Sequence, residues 1–519
     1  MKRIISLLLC LCVLITVVTG VAPAVVAAED RINVPLIYIE GQGASLYRNY
    51  GTPEQEQIYP VQIPENYIAE KVEQYFPVFA DAFFTQEWSD FCVALYDCIV
   101  PLFDKLRLGP NGEPIDGSTV GWTWSRETLT NKAKNGTYGI EDYIFKYDWR
   151  LDPWSTADKL HQYIEDVMYV TGATEVALLG RCLGANIAAA YMTKYNGEHV
   201  KDCIFYASAA HGAIMCSKAF CGELYLEADG IERYVYDLEL SPTDYVQDFI
   251  ESLVTLLNKT YGLDIASWAV NNVYKDIYLE IMPPILIESY GTFPGYWSMV
   301  TEEDFAKAKE TIFYGADLEK YAGLIEKIDN YHVNTRLKMD DTYLELSKNG
   351  VEFSNVSKYG YQIIPVAKEN DVVSDNTCEI GQSSMGATAA GVVSTFDNDY
   401  IDAAILNSTA KYISPDKQID ASTCLFPDST WFIKDITHQD FPDDIHRIFT
   451  KVINIDGFTV FDDPELPQYL VYDKETKTVS PMVAENYNTT TRWEVSFFEA
   501  VSVFAKSLYK MIRNYFETK

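Results

Sequence analysis

The stretch 175–192 constrains the fold of this chain more than any other, because a glycine-flanked turn joins a short apolar run to an alanine-rich helix. The turn reads Gly180-Arg181-Cys182-Leu183-Gly184. In many enzymes a G-x-S-x-G turn presents a nucleophile between a strand and a helix, and its glycines avoid clashes. Here the central residue is Cys182, and the N-terminus of the following helix would favour its thiolate. The sequence therefore predicts a strand–elbow–helix unit with Cys182 as the nucleophile.

Strand-like and helix-like runs alternate along most of the chain. Apolar, β-rich runs occupy 34–41, 143–151, 175–180, 200–212, 359–370 and 429–438. Alternation of this kind favours a mostly parallel sheet covered by helices. Between 213 and 355 the pattern changes to long amphipathic runs, which predict helices rather than a loop. Together these features predict an α/β-hydrolase fold with a mostly parallel central sheet and an inserted helical cap.

The predicted organisation has five parts. They are a signal peptide (1–28), the first part of the core (29–212), the helical cap (213–355), the second part of the core (356–455) and a C-terminal hairpin with an amphipathic helix (456–519). We expect the final helix to pack on its own domain, although a helix of this kind can also lie on a membrane surface.

The first 28 residues have the features of a secretory signal peptide. Lys2 and Arg3 precede the apolar stretch 4–18, and the small residues 26–28 end in a cleavage site near Ala28. We therefore expect a secreted protein, with an uncleaved N-terminal anchor as the alternative. No later run of 18 apolar residues predicts a membrane span.

The charge of the chain excludes some classes of partner. The 519 residues include 75 acidic and 41 basic side chains, for a formal charge of −34. This charge opposes binding to nucleic acid and adsorption to anionic lipids, so we expect no nucleic-acid partner and at most peripheral membrane contact. A neutral, zwitterionic or cationic substrate fits better. The sequence leaves the oligomeric state open.

Cysteine and histidine spacing predicts neither a metal site nor a cofactor. Eight cysteines follow the signal peptide: Cys92, Cys98, Cys182, Cys203, Cys216, Cys221, Cys378 and Cys424. Export permits disulfides, and Cys216 and Cys221 could close a small loop, but pairing stays open. The chain has no C-x-x-C pair and no H-E-x-x-H spacing.

Partners for Cys182 follow late strand-like runs, in the order nucleophile, acid, histidine that this fold uses. Asp371 and Asp375 follow the run 359–370, and we favour Asp371 because it lies nearer the strand end. His438 follows residues 429–436 of the last run, in a loop that can reach the elbow. His446 lies inside the next helix and fits a surface position better. The predicted triad is thus Cys182, Asp371 and His438, with Asp375 as the alternative acid.

An oxyanion hole is expected beside the elbow. The backbone N–H of Leu183 and an N–H from the loop after the first strand would form it. That loop reads Glu40-Gly41-Gln42-Gly43, and Gln42 is the candidate; a simple glycine-rich turn is the alternative.

The stretch 143–192 resembles the lecithin:cholesterol acyltransferase and lysosomal phospholipase A2 family. The matching residues are the strand end Tyr147-Asp148-Trp149-Arg150 and the elbow Gly180–Gly184. The segments 208–213 and 290–300 are similar to the family's turn before the cap and to its cap segment. The chain departs from the family at the elbow, where Arg181-Cys182 replaces His-Ser. It also departs at Glu40-Gly41 in place of Pro-Gly, and at 370–373 in place of the family's acid motif.

The resemblance implies acyl transfer or hydrolysis of lipid-like esters through an acyl-enzyme, without a metal or dissociable cofactor. It implies that Asp148 and Arg150 are architectural and that the cap shields an acyl-chain groove. The G-x-C-x-G elbow also resembles that of polyhydroxyalkanoate synthases, in which cysteine is productive. We therefore expect a secreted acyl hydrolase or O-acyltransferase with a thioester intermediate. The alternatives are an inactive lipid- or peptide-binding protein on the same scaffold, or an amide or peptide hydrolase.

Overall fold

A computed structural model of the chain describes residues 31–61, nine positions between 67 and 85, and 89–237, 243–368, 371–483, 486–487 and 493–517. The predicted signal peptide lies outside these residues, as does Asn370.

One large sheet forms the centre of the molecule. Its strands in chain order are β1 (Leu36–Ile39), β2 (Tyr143–Phe145), β3 (Val176–Arg181), β4 (Val200–Tyr206), β5 (Glu352–Tyr359), β6 (Thr430–Lys434), β7 (Tyr469–Asp473) and β8 (Thr478–Pro481). Their spatial order is β8-β7-β6-β5-β4-β3-β1-β2. All neighbours are parallel except β7 and β8, which form the predicted C-terminal hairpin. The prediction of a mostly parallel α/β sheet is confirmed.

Helices connect these strands and fill the segment between β4 and β5. The first part of the chain contains α1 (Ser89–Ile99), α2 (Pro153–Thr171) and α3 (Gly184–Lys194). Between β4 and β5 lie α4 (Ile214–Phe220), α5 (Ala228–Asp237), α6 (Asp244–Lys259), α7 (Gly262–Glu288), α8 (Pro294–Trp297), α9 (Phe305–Ile312), α10 (Ala322–Tyr331) and α11 (Met339–Lys348). Later helices are α12 (Ile380–Ser383), α13 (Asn398–Leu406), α14 (His446–Asn454) and α15 (Phe497–Glu517).

The strand β5 corrects a sequence prediction. Apolar residues predicted a strand over 359–370 and an end of the cap at 355, but β5 runs from Glu352 to Tyr359. Polar side chains such as Ser354, Asn355 and Lys358 are buried in it. They hide the apolar pattern that identifies a buried strand. The segment after β5 forms only a two-residue pair, Tyr361–Gln362 with Val373–Ser374.

Local sequence explains how the helices before and after β3 begin. The Asp152 carboxylate accepts hydrogen bonds from the N–H groups of Trp154 (3.0 Å) and Ser155 (3.1 Å), which caps α2, and Pro153 occupies the first turn. The helix α3 is packed closely on the sheet because its inward face consists of fully buried alanines, at 185, 188 and 189.

The C-terminal helix α15 packs against α6 of the insertion. The rings of Phe249 and Phe504 stack with centroids 5.0 Å apart. In the described ranges, no helix is both long enough and apolar enough to cross a membrane.

Candidate active site

Cys182 occupies a strained position between β3 and α3. Its φ is 52°, in the left-handed region that costs a residue with a side chain about 1–3 kcal/mol. A Cβ on Gly180 would lie 2.8 Å from the Cα of Ala185, and one on Gly184 would lie 2.2 Å from the carbonyl oxygen of Ile39. Both glycines are therefore required by close backbone approach. The predicted strand–elbow–helix unit is confirmed at this point.

The loop after β1 lies directly against the elbow. A Cβ on Gly41 would lie 2.8 Å from the Cβ of Cys182, so only glycine fits there. The side chain of Gln42 is held by Tyr296, whose hydroxyl donates to Oε1 over 3.0 Å. Within the described residues, the backbone N–H of Gln42 makes no hydrogen bond. The Leu183 N–H contributes to lowering the pKa of the Cys182 thiol.

His438 is paired with Asp375. Its Nδ1 lies 2.7 Å from Asp375 Oδ2, and its backbone N–H donates to the Asp375 carbonyl over 2.7 Å. The other carboxylate oxygen accepts from the N–H groups of Thr377 (3.0 Å) and Cys378 (2.7 Å). Asn376, at φ 80°, makes the sharp turn between them. The Asp375 carboxylate is 1% exposed and all its hydrogen bonds orient it toward the imidazole.

The preferred acid of the sequence prediction, Asp371, is wrong as the partner of His438. It is exposed, and its Oδ1 accepts a hydrogen bond from the backbone N–H of Val392 over 2.9 Å. The reason is that the strand predicted to end beside Asp371 ends at Tyr359 instead. The acid that pairs with His438 comes from a separate segment farther along the chain. The alternative Asp375, which follows the two-residue strand Val373–Ser374, is the residue brought to His438.

Electrostatics link His438 to Cys182. Burial raises the pKa of the Cys182 thiol, but the charge of His438 and the Arg181 guanidinium lower it by more, to below the ordinary 9.0. Burial lowers the pKa of His438, while Asp375 and Cys182 raise it by more, to well above 6.5. Both directions favour a thiolate–imidazolium pair. The Nε2 atom is buried and, in the described part of the chain, has no hydrogen-bond partner at rest.

His446 lies elsewhere. It begins α14 and its ring packs edge-on against Phe441, with centroids 5.2 Å apart. The sequence-based preference for His438 over His446 therefore agrees with the geometry.

A cavity of about 510 Å³ opens onto Cys182 and His438. Most of its polar lining residues follow the strand ends, and we call this set the sheet wall. Its apolar lining, which we call the apolar wall, comes mainly from the insertion; its members are Phe103, Met215, Ala219, Phe220, Tyr290, Met299 and Ile364. Cys216, on α4, also lines this cavity, and its Sγ donates to the Tyr296 carbonyl over 3.4 Å. Cys221 instead bonds the Asp304 carbonyl, so the loop-closing disulfide considered from sequence is not formed.

Sequence reasoning missed three residues at the site. Arg181 and Lys358 contact the backbone that carries His438, and Cys378 brings a second thiol beside the imidazole. Ligand atoms of Asp375, Cys378 and His438 lie within 4.8 Å of one another, a spacing that could hold a metal ion. The 2.7 Å hydrogen bond between Asp375 and His438 already uses two of these atoms. Burial raises the pKa of Cys378 to about 12, so Cys182 is the more acidic of the two thiols.

Comparison of the chain with models of known protein families and with curated proteins gives no match.

Proposed function

We propose that the chain is an α/β-hydrolase-fold acyl hydrolase or O-acyltransferase that acts on lipid-like esters through Cys182, His438 and Asp375. The observation that carries this proposal is the hydrogen-bonded Asp375–His438 pair beside a strained thiol of lowered pKa. These residues follow β3, β5 and β6, the chain order of nucleophile, acid and histidine that the fold uses.

The groups around Cys182 support a two-step acyl transfer. In the first step the thiolate sulfur attacks the ester carbonyl carbon, and the negative charge moves to the carbonyl oxygen. We take the N–H groups of Leu183 and Gln42 as the donors that stabilise this oxyanion by hydrogen bonding. The tetrahedral intermediate then collapses: the carbon–oxygen bond to the leaving alcohol breaks as the His438 imidazolium gives that oxygen its proton. The product is a thioester on Cys182.

In the second step His438 acts as a base. It removes a proton from water or from an acceptor alcohol, whose oxygen attacks the thioester carbonyl. Collapse releases the acid or the new ester and regenerates the thiolate. Asp375 fixes the ring orientation throughout and stabilises the imidazolium.

Two further features support an ester with an apolar acyl part. Apolar side chains line the same 510 Å³ cavity as the thiol, and a cavity of this size can enclose much of a small ligand. The pair expected to be architectural is buried, with Arg150 Nε 2.9 Å and Nη2 2.6 Å from the Asp148 carboxylate. This agrees with the resemblance to the lecithin:cholesterol acyltransferase and lysosomal phospholipase A2 family.

Trapping of the acyl-enzyme tests the proposal. The full chain is incubated with p-nitrophenyl esters of increasing chain length, and intact mass is measured after an acid quench. We expect one acyl group on Cys182, released by neutral hydroxylamine as a thioester is. Cys182→Ala should gain no acyl mass.

Cys424→Ala is the matched control, because burial raises the pKa of that thiol to about 12 and it lies in another part of the core. It should be acylated like the wild type. A label that persists in Cys182→Ala would disprove the nucleophile assignment, and absence of any acylation would favour a binding protein.

A further inference from the structure

The backbone of the His438 loop, residues 435–441, is held by two buried cations. Lys358 Nζ donates to the carbonyl oxygens of Thr437 (2.8 Å), His438 (2.7 Å) and Asp440 (3.0 Å). Arg181 Nη2 donates to those of His438 (3.3 Å) and Gln439 (3.0 Å). Four consecutive carbonyl oxygens, 437–440, thus converge on two positive groups, and we call this arrangement the carbonyl cradle.

Neither cation has a carboxylate partner. Lys358 is fully buried and Arg181 is 8% exposed, yet among the described residues no carboxylate oxygen lies within 4.0 Å of either. Aromatic faces cover them instead, with Tyr206 4.8 Å from Lys358 and Phe441 5.2 Å from Arg181. A buried charge without a counter-ion is costly, so the carbonyl cradle is its main compensation.

One cation comes from the strand that carries the nucleophile, and the other comes from a strand two positions away in the sheet. Arg181 directly precedes Cys182 at the end of β3, and Lys358 lies near the end of β5, two strands away. Each therefore connects the sheet end to the loop that carries the base. Movement of that loop would have to break five charge-assisted hydrogen bonds.

We propose that Arg181 and Lys358 are positioning residues that fix His438 beside Cys182 by binding the carbonyl cradle. They act through the loop backbone rather than on the substrate. This role extends the proposed function, because it explains how the base is held beside the nucleophile. The hydrogen bonds that support it are present whether or not an ester is the substrate. A displacement of about 1 Å at a catalytic group can cost 10²-fold in rate.

The protonation state of Lys358 makes the binding of the carbonyl cradle depend on pH. The charged groups that face it are Asp375, Arg181, Asp440 and, as a thiol, Cys378. Burial lowers the pKa of Lys358 to about 7, against the attraction of Asp375. An ammonium can donate to all three carbonyls, whereas a neutral amine has only two N–H groups. Above about pH 7 one carbonyl loses its donor, so the loop should be held less firmly.

The test is the pH profile of Cys182 alkylation by iodoacetamide, which follows the thiolate and needs no ester chemistry. In the wild type, His438 and Arg181 lower the thiol pKa. In Lys358→Met the loop is released, and we expect the alkylation midpoint to rise by at least about one pH unit. Arg181→Met should raise it further, because this variant loses both the hold on the loop and the direct effect of the guanidinium on the thiol. Arg181→Lys keeps the charge and should recover part of the shift. Where ester acylation is measurable, both Met variants should lower its rate about 100-fold with little change in KM.

Lys434→Met is the matched control. Lys434 is also a buried lysine at a strand end, but it is paired with Asp416 (2.6 Å) and Gln418 (2.8 Å) and does not contact the loop carbonyls. It should lose stability and keep the wild-type alkylation midpoint. A wild-type midpoint in folded Arg181→Met, or in folded Lys358→Met, would overturn the positioning role. Failure of the wild type to be acylated, with shifted alkylation midpoints in the Met variants, would instead count against the proposed function alone.

Discussion

The sheet wall and the apolar wall of the cavity differ in the interactions that their side chains make. On the sheet side, the groups around the thiol are fixed by directed hydrogen bonds, from His438 to Asp375 and from Lys358 to the loop carbonyls. On the side of the insertion, Phe220 and Met215 contribute apolar surface and no hydrogen-bonding group. A hydrogen bond weakens steeply when its donor or acceptor is displaced, whereas the stabilisation from apolar contacts depends mainly on the area they bury. Under the proposed function, the sheet wall carries out the chemistry and the apolar wall selects the acyl part.

The largest effect should come from Asp375→Asn. The amide keeps the shape of the carboxylate but can no longer stabilise the imidazolium or enforce its tautomer. In a hydrolase triad of this type the same change lowers kcat about 10⁴-fold. We expect a fall of similar order in hydrolysis of p-nitrophenyl esters, with little change in KM.

Asp371→Asn is the control for that variant. Asp371 is exposed and caps the N–H of Val392, so its loss should leave activity within about twofold of wild type and cost little stability. Equal losses in the two variants would contradict the assignment of Asp375.

The error at Asp371 shows where sequence reasoning reaches its limit. The elbow was predictable because the backbone comes so close at Gly180 and Gly184 that only glycine fits. This requirement fixes the spacing of the two glycines in the sequence. His438 was predictable because β6 contains the apolar run Trp431-Phe432-Ile433, and the histidine follows this strand. The acid was not, since β5 is buried but polar, and its Lys358 and Asn355 resemble surface residues in a sequence.

These polar residues are buried because they form hydrogen bonds with other parts of the chain. Asn355 donates to the Ser383 carbonyl (2.9 Å), and Lys358 binds the carbonyl cradle. Both contacts join segments far apart in sequence, so no local pattern reveals them. One local signal was available: Asn376 directly after Asp375, since Asn adopts left-handed φ more readily than most residues.

A second prediction concerns the thiol pKa and separates charge from burial. His438 is the strongest influence lowering the pKa of Cys182, whereas burial raises it. In His438→Ala only Leu183 and Arg181 still oppose burial, so the alkylation midpoint should move up from its wild-type value. The pH dependence of iodoacetamide alkylation in the two proteins measures this shift.

The same pair makes a signed prediction for stability. The pKa of Cys182 is lowered on folding, so its contribution is present above the unfolded value and is lost as pH falls through the folded value. The pKa of His438 is raised, so its contribution is present below 6.5 and is lost as pH rises through the folded value. Denaturant melts of wild type and His438→Ala across this range measure it, and parallel pH curves for the two proteins would contradict the ion pair.

The smallest expected effect lies on the apolar wall. Met215→Ala removes a half-buried side chain from the cavity, so a long acyl chain should lose apolar contact while an acetyl group should not. At about 0.8 kcal/mol per buried methylene, a loss of one to two such contacts raises KM for long-chain esters roughly 4- to 15-fold. Met168→Ala, a half-buried methionine on α2 outside the cavity, should leave both substrates unaffected. Since the apolar wall is assigned to selectivity alone, kcat for the acetyl ester should stay unchanged in Met215→Ala. An equal loss for short and long esters would mean that the apolar wall also positions the thiol, and the division between the two walls would fail.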